Sequence, residues 1–281
     1  MGFIAIVGGG ALGGAVAHAL AVRDRVSDVR LIDPAPGVAR GKALDIQQSS
    51  PIDNFTTTLN AAESLDAAVG ADAVVIADAA AGHAEHAGEA GLALLRQLTR
   101  YGHRGPIVFA GAQQRELIGR AVTELQMARA LVLGSAPLAL ESALRALAAV
   151  ELDGSGVEVG LRVVGVPPRA AVVAWEEATA YAEPLAAQVS PHVIAGLSAR
   201  IPGLWPPGPY ALAAAASRVA EALIRGSRRR FSCFVAIEAG PLRAAVAAMP
   251  VELGRGGVRR VLEPTLSGLE RTALGNALEK E

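Results

Sequence analysis

A glycine-rich turn near the start of the chain has the residue types and spacing of a phosphate-binding loop. The stretch Gly8-Gly9-Gly10-Ala11-Leu12-Gly13 fits the pattern G-x-G-x-x-G and follows an apolar run over residues 3–7. In such a loop Gly8 permits the tight turn, Gly10 lets the backbone approach a pyrophosphate, and Gly13 lets the next helix pack against the strand. Because the N–H groups at the start of that helix are free, they face the phosphates. The loop predicts phosphate contacts from Gly8, Gly10, Ala11, Leu12 and Gly13.

An acidic residue at the end of the second predicted strand indicates which class of ligand the loop binds. Leu31-Ile32-Asp33 places a carboxylate about twenty residues after Gly13, the spacing at which dinucleotide-binding folds hold the ribose 2′-hydroxyl. The charge of Asp33 would repel a 2′-phosphate. The sequence therefore predicts a bound nicotinamide dinucleotide, NAD rather than NADP. The alternative is an α/β turn that keeps glycine only for packing.

Short apolar runs alternate with helical patterns through the first half of the chain. Strands are predicted over residues 3–7, 29–32, 73–76, 107–109 and 130–133. Helices are predicted between them, over 11–23, near 41–48, over 89–101 and before the last strand. This alternation is typical of βαβ units in a parallel, doubly wound sheet. Residues 1–137 are predicted to form a dinucleotide-binding Rossmann domain of the α/β class.

The pattern changes after Pro137. Helices are predicted over residues 139–150, 210–225 and 265–280, and strands over 157–166, 170–175, 231–237 and 245–253. Strands grouped together between helices are typical of an α+β arrangement. We predict that residues 138–281 form a C-terminal, substrate-type α+β domain.

Composition and charge argue against several classes of protein. Hydrophobic residues make up 52% of the chain, many of them alanine, and no uncharged run reaches the ~20 residues of a membrane span. The chain enters its first predicted strand at once, so we expect no signal peptide and a cytoplasmic protein. A net charge of −1 favours neither nucleic acid nor an anionic membrane as a partner. Cys233 lies in an apolar run, which indicates a small buried side chain.

Several strings beyond the loop resemble malate and lactate dehydrogenases. Residues 31–33 and 37–46 are similar to the family's L-x-D and G-x-x-x-G-K-A-L-D-[LM] strings, and residues 71–76 resemble its fourth strand. Near the other end, residues 249–258 look like its P-V-x-x-G-x-x-G-V string, and residues 266–270 like the start of its last helix. The resemblance covers essentially the whole chain and is carried mostly by scaffold residues. The chain is identified as a divergent member of this family.

The resemblance implies an activity and a set of functional groups. The family transfers a hydride reversibly between NAD and a 2-hydroxy acid, and it generally assembles as dimers or tetramers. Its site uses an acid/base histidine, an aspartate that orients it, and an arginine that binds the substrate carboxylate. A loop arginine polarises the carbonyl, and an asparagine lies near the nicotinamide. These groups move a proton with the hydride, bind an anion and stabilise charge on oxygen. A homo-oligomer with a small-molecule substrate is therefore expected.

Three of the family's positions on the substrate side are changed here. Pro167 stands in place of the histidine, Glu141 in place of the aspartate, and Leu144 in place of the substrate arginine. Arg145 follows Leu144, but one helical step rotates it about 100° away. Proline can neither donate nor accept a proton through its side chain.

The remaining two positions lie in loops and are changed as well. Residues 82–88 replace the mobile loop and contain no arginine, and Gly111-Ala112 replaces the N-P pair that carries the asparagine. His83, Glu85 and His86 in that loop have side chains that suit zinc or a new base, but a solvated polar loop is the preferred interpretation. We assign no catalytic residue and no metal site, and we predict no malate or lactate dehydrogenase activity.

A further departure concerns the cofactor. The family's T-A-G after the fourth strand is Ala77-Asp78-Ala79 here. Because this backbone runs beside the dinucleotide in the family, the Asp78 carboxylate either repels the phosphates or points outward, and both alternatives stay open. The preferred hypothesis is an NAD(H)-binding protein without 2-hydroxy acid dehydrogenase activity, in effect a pseudoenzyme. The others are an NAD-dependent oxidoreductase on CH–OH donors with altered residues, and a structural or interaction protein without cofactor.

Overall fold

The computed structural model describes residues 2–35, 37–82, 84–152, 154, 158–238 and 244–279. The strands within these ranges are β1 (Phe3–Val7), β2 (Asp28–Ile32), β3 (Thr58–Ala62), β4 (Ala73–Ile76), β5 (Ile107–Phe109), β6 (Val132–Gly134), β7 (Val159–Gly160), β8 (Val163–Val166), β9 (Ala170–Val173), β10 (Thr179–Ala180), β11 (Glu183–Pro184), β12 (Arg230–Glu238), β13 (Ala244–Gly254) and β14 (Gly257–Val261). The α-helices are α1 (Ala11–Arg23), α2 (Val38–Asp53), α3 (Gly88–Tyr101), α4 (Arg115–Thr123), α5 (Ala136–Glu151), α6 (Pro191–Ala199), α7 (Pro209–Arg225) and α8 (Gly268–Glu279).

The first six strands form a parallel sheet in the order β3-β2-β1-β4-β5-β6. Strand β1 lies at its centre, with Ile4 opposite both Val29 of β2 and Ala73 of β4. Helices connect these strands, so the Rossmann arrangement predicted for the first half is confirmed. The edge strand β3 was not predicted, because its sequence Thr-Leu-Asn-Ala-Ala buries only Leu59 and lacks an apolar run.

The sheet continues into the second half of the chain through antiparallel strands. Strand β12 pairs with β6, and β13, β8 and β9 extend the sheet in that order, with β14 beside β13. The fold class, a Rossmann sheet followed by a further α and β unit, is therefore confirmed. Strands from both sides of residue 137 share one sheet, and the domain division placed there stays a prediction.

Two apolar cores fill the molecule. The larger core lies around the extended sheet and includes α1 and α7, and the smaller one joins α5 to β7 and α6 through Leu144, Val159 and Leu197. Cys233 lies in the larger core with 0% exposure, as its apolar surroundings predicted. None of the described helices is both long and apolar enough to cross a membrane.

Some element boundaries differ from the prediction for local reasons. The run over residues 157–166 is two strands, β7 and β8, and Val157 lies outside the described residues. The last helix starts at Gly268 rather than at Thr265. Ser267 N donates to Glu270 Oε2 at 2.8 Å and Glu270 N donates to Ser267 Oγ at 3.3 Å, a capping box that fixes the helix start.

Candidate functional site

The glycine loop joins β1 to α1 at the carboxyl edge of the parallel strands. Gly8 has φ of +110°, which a side chain would strain, and a Cβ on Gly13 would overlap the Gly8 carbonyl. Gly8 N donates to Ile32 O at 2.8 Å, so the loop is bonded to the end of β2. The loop thus has the turn and the close helix–strand approach that its sequence predicted, and its contacts with a ligand stay predictions.

Asp33 lies directly behind this loop and is almost completely buried. Its Oδ2 accepts hydrogen bonds from Gly9 N at 2.7 Å and Ala80 N at 2.9 Å, and its Oδ1 accepts one from Ala35 N at 2.8 Å. Burial by itself raises the pKa of Asp33, but these three backbone donors outweigh it and lower the pKa below its ordinary value. Asp33 is therefore ionised, and it joins the glycine loop to the segment after β4. Its contact with a ribose stays a prediction.

Asp78, the residue that follows β4 and Ala77, points into the loop. Its Oδ1 accepts a hydrogen bond from Gly13 N at 2.9 Å and its Oδ2 one from Leu12 N at 3.2 Å. The side chain is 6% exposed, and a Cβ on Gly10 would overlap its carboxylate. Of the two orientations left open by the sequence, the structure therefore has the inward one, over Gly10 and at the N-terminus of α1.

Two basic side chains, those of Lys42 and His86, lie near the loop and its carboxylates respectively. Lys42 of α2 donates from Nζ to Gly10 O at 2.5 Å. His86 is half-buried, and loss of water lowers its pKa below the ordinary value, although the charges of Asp33 and Asp78 act in the opposite direction. The imidazole is therefore mainly neutral at pH 7, and Lys42 supplies the positive charge beside the loop.

The segment after Asp78 is held against the end of β5. Glu85 accepts hydrogen bonds from Ala112 N at 3.0 Å and Gln113 N at 2.8 Å. The buried Gln114 side chain accepts from Gly111 N at 2.8 Å and donates to His86 O at 3.0 Å. His83, part of the zinc alternative, lies outside the described residues. Within the described part of the chain, no group of three or more metal-ligating side chains occurs.

The positions that the family resemblance assigns to substrate chemistry lie on β8 and α5. Pro167 follows β8 in the turn where the histidine is expected. Leu144 is 0% exposed in the smaller core, and Arg145 donates from Nε to Val159 O at 2.5 Å. The side chains of Pro167 and Leu144 can neither donate a proton nor bind an anion, and the Arg145 Nε is bonded to the backbone.

Glu141 is buried but internally paired. Ser232 Oγ donates to its Oε2 at 2.5 Å, and Arg162 Nη1 donates to its Oε1 at 3.1 Å. Burial raises the pKa of Glu141 above its usual value, while the charge of Arg162 opposes the shift. Both carboxylate oxygens of Glu141 are thus bonded to side chains within the protein.

A surface pocket opens at the carboxyl ends of β2 and β3. Its lining includes Gly37, Arg40, Glu63, Ser64 and Asp66. None of the six predicted cofactor residues lines it. The space over Gly10 that the sequence predicted for a pyrophosphate is instead filled by the Asp78 side chain.

Residues 3–99 match a known family, the lactate/malate dehydrogenase NAD binding domain. Residues 3–99 therefore belong to the NAD binding domain of lactate and malate dehydrogenases, as the resemblance predicted for this part of the chain. A malate dehydrogenase of Pelagibacter ubique (strain HTCC1062) is 39% identical over 61 residues, which are 22% of this chain. The match spans only 19% of that relative's length.

Solved structures of lactate and malate dehydrogenases share the fold over almost the whole chain. A Cryptosporidium parvum lactate dehydrogenase, solved with lactic acid and nicotinamide adenine dinucleotide, superposes with a TM-score of 0.88 at 21% identity, covering 99% of this chain and 95% of that one. A Salinibacter ruber malate dehydrogenase superposes with a TM-score of 0.87 at 23% identity, covering 99% and 94%. At these identities the likeness is one of fold.

In this domain the backbone of the glycine loop fits NAD, whereas one side chain, that of Asp78, lies where the pyrophosphate is predicted. NAD is the cofactor of the family's domain, and the glycine turn and Asp33 are of the kind that holds a pyrophosphate and a ribose. However, the N–H groups of Leu12 and Gly13 already bond Asp78. The loop fits the pyrophosphate only when the Asp78 carboxylate is displaced.

Three residues that shape the site have no signal of their own in the sequence. Lys42 was noticed only as part of the family-like string over residues 37–46. Gln114 and Arg162 carry no motif, and their partners lie 28 and 21 residues away in the chain. Contacts of this kind become visible only when the strands are assembled.

Proposed function

We propose that this lactate/malate dehydrogenase family member binds NAD(H) and does not transfer a hydride to or from a 2-hydroxy acid. The observation that carries the proposal is Pro167, at the end of β8 where the family resemblance places the acid/base histidine. Reduction of a 2-oxo acid needs a proton delivered as the hydride arrives. The proline ring has no proton to deliver.

The substrate carboxylate also lacks a partner at the expected place. Leu144 is fully buried in an apolar core, and the neighbouring Arg145 side chain is bonded to the backbone of β7. A carboxylate in the cleft would therefore lose water without gaining the paired hydrogen bonds of a guanidinium. This supports loss of 2-hydroxy acid chemistry rather than a change of substrate within the class.

The cofactor half of the proposal rests on the loop backbone and Asp33. The start of α1 supplies the N–H groups that an anion needs, and the buried carboxylate of Asp33 disfavours a 2′-phosphate. A cytoplasmic location is proposed from the composition of the chain, and a homodimeric or homotetrameric state is proposed from the family resemblance.

One observation favours a second candidate, an interaction protein without cofactor. Asp78 bonds the N–H groups that a pyrophosphate would use. If Asp78 is never displaced, the Rossmann fold is retained for its shape alone.

A titration of purified protein with NADH by calorimetry, followed by assays with oxaloacetate and with pyruvate, tests the proposal. We expect saturable NADH binding and no NADH oxidation above background. Ala11→Asp, which adds a carboxylate at the exposed start of α1, should abolish binding, whereas Gln48→Asp makes the same charge change at an exposed site on α2 and should not.

The two halves of the proposal fail separately. Turnover of either substrate, in protein free of host dehydrogenase, would contradict the catalytic half. Absence of NADH binding at millimolar concentration would contradict the cofactor half and favour the interaction protein.

A further inference from the structure

We infer that Asp78 is a built-in competitor of the dinucleotide pyrophosphate, which occupies the N-terminus of α1 and thereby sets the affinity of the loop for NAD(H). The inference rests on the proposed NAD(H) binding, and it adds a residue that limits this binding. It assigns to Asp78 a role opposite to that of Asp33, although both are buried carboxylates beside one loop.

The competition follows from the donors that Asp78 uses. Leu12 N and Gly13 N each carry one hydrogen, and each is directed at an Asp78 oxygen, at 3.2 and 2.9 Å. A pyrophosphate at a helix N-terminus is bound by the same kind of N–H groups. A phosphate oxygen and the Asp78 carboxylate therefore exclude each other, both by donor use and by space, since the carboxylate covers Gly10.

The surrounding contacts keep the Asp78 backbone in place. Gly10 N donates to Asp78 O at 2.9 Å, and Asp78 pairs with Glu85 in an isolated antiparallel bridge. Glu85 is in turn bonded to the N–H groups after β5. Release of the loop therefore requires rotation of the Asp78 side chain, because its backbone is bonded on both sides.

The Asp78 carboxylate affects NADH binding and the stability of the folded protein in opposite directions. The Asp78 carboxylate stabilises the folded protein, because it satisfies helix N–H groups and complements the helix dipole. The same carboxylate weakens dinucleotide binding, because its bonds must be broken and its charge repels the phosphates. Removing it should raise the affinity for NADH and lower the melting temperature together.

The test compares wild type with Asp78→Ala, the residue that the family's T-A-G string has at this position. Asp45→Ala is the matched control, since it removes one exposed carboxylate from α2 and leaves the loop untouched. NADH dissociation constants by calorimetry and melting temperatures are measured for all three. We expect Asp78→Ala to bind NADH at least about tenfold more tightly and to melt at a lower temperature, and Asp45→Ala to bind as wild type does.

The outcomes separate this inference from the proposed function. Equal NADH affinities of wild type and Asp78→Ala would overturn the inference and leave the proposed binding intact. Binding by Asp78→Ala alone would support the inference and overturn binding by wild type. Binding by neither would overturn both. Should Asp78→Ala fail to fold, Asp78→Ser, which removes the carboxylate and shortens the side chain over Gly10, decides the question by the same criteria.

Discussion

At the start of α1 the chain keeps the glycines and the acid of a dinucleotide loop, whereas at the end of β8 it keeps the strand and has a proline where the family resemblance places the histidine. The loop retains Gly8, Gly13 and Asp33. The substrate side has Pro167 in its turn and Leu144 in its core. The difference lies in what each residue does for the fold.

The retained loop residues are needed whether or not a ligand binds. Gly8 has a positive φ, Gly13 lies against the Gly8 carbonyl, and Asp33 bonds three backbone N–H groups. Pro167 and Leu144, by contrast, stand where the family resemblance places groups for substrate chemistry. An intact glycine loop is therefore evidence, first of all, that the fold is retained. Retention of the cofactor has to be shown by a direct binding measurement.

The result that would most change this contrast between the two regions is catalysis restored on the substrate side. We expect Pro167→His alone to give no measurable oxaloacetate reduction, because loss of an acid/base typically costs 10²–10⁴-fold and the substrate carboxylate still meets Leu144. Groups that act as a unit are strongly non-additive. Steady-state assays of Pro167→His, with wild type as the control, decide it. Measurable turnover would mean that another residue already binds the substrate carboxylate.

A second expectation concerns the buried position on α5. Leu144→Arg should destabilise the protein by about 3–5 kcal/mol, because it places a charge among apolar side chains. Ala146→Arg, at an exposed site of the same helix, is the control and should change stability by less than about 0.5 kcal/mol. Urea unfolding measures both. A stable Leu144→Arg protein would show that this part of the smaller core opens readily to the cleft.

On the cofactor side, NADH should bind more tightly than NADPH, by at least a few-fold. Asp33 would face the 2′-phosphate of NADPH with a like charge. Calorimetric titrations with both dinucleotides test this, and Asp33→Asn should reduce the preference. Equal affinities for wild type would show that Asp33 serves only the backbone donors that it bonds in the structure.

The smallest expected effect is a pH dependence of stability at Glu141. Because burial raises its pKa in the folded state, the folded protein holds a proton that the unfolded chain releases as the pH rises above about 4.5, the ordinary value for glutamate. Stability relative to Glu141→Gln should therefore be greatest at low pH and fall as the pH rises. Urea unfolding at pH 5 and pH 8 measures it, with Glu116→Gln as an exposed control. An opposite slope would mean that Arg162 outweighs the burial.

The amino-acid sequence by itself predicted most of the Rossmann half, although not its edge strand β3. Strands β1, β4 and β5 and helix α1 lie where their apolar runs and the glycine turn placed them. The resemblance of residues 3–99 to the family's NAD binding domain was also predictable, from strings that lie mostly in scaffold elements. These features are encoded locally, because a strand, a turn or a helix start depends on neighbours within a few residues.

What only the tertiary structure decided is the partner of each buried charged side chain. Asp78 lies 65 residues from Gly13, and Glu141 lies 91 residues from Ser232, so no local pattern indicates that they bond. Because β4 lies beside β1 in the sheet, the carboxylate of Asp78, which follows β4, lies over Gly10. Buried polar groups must find hydrogen-bond partners wherever the fold provides them, and these partners are known only once the sheet is assembled.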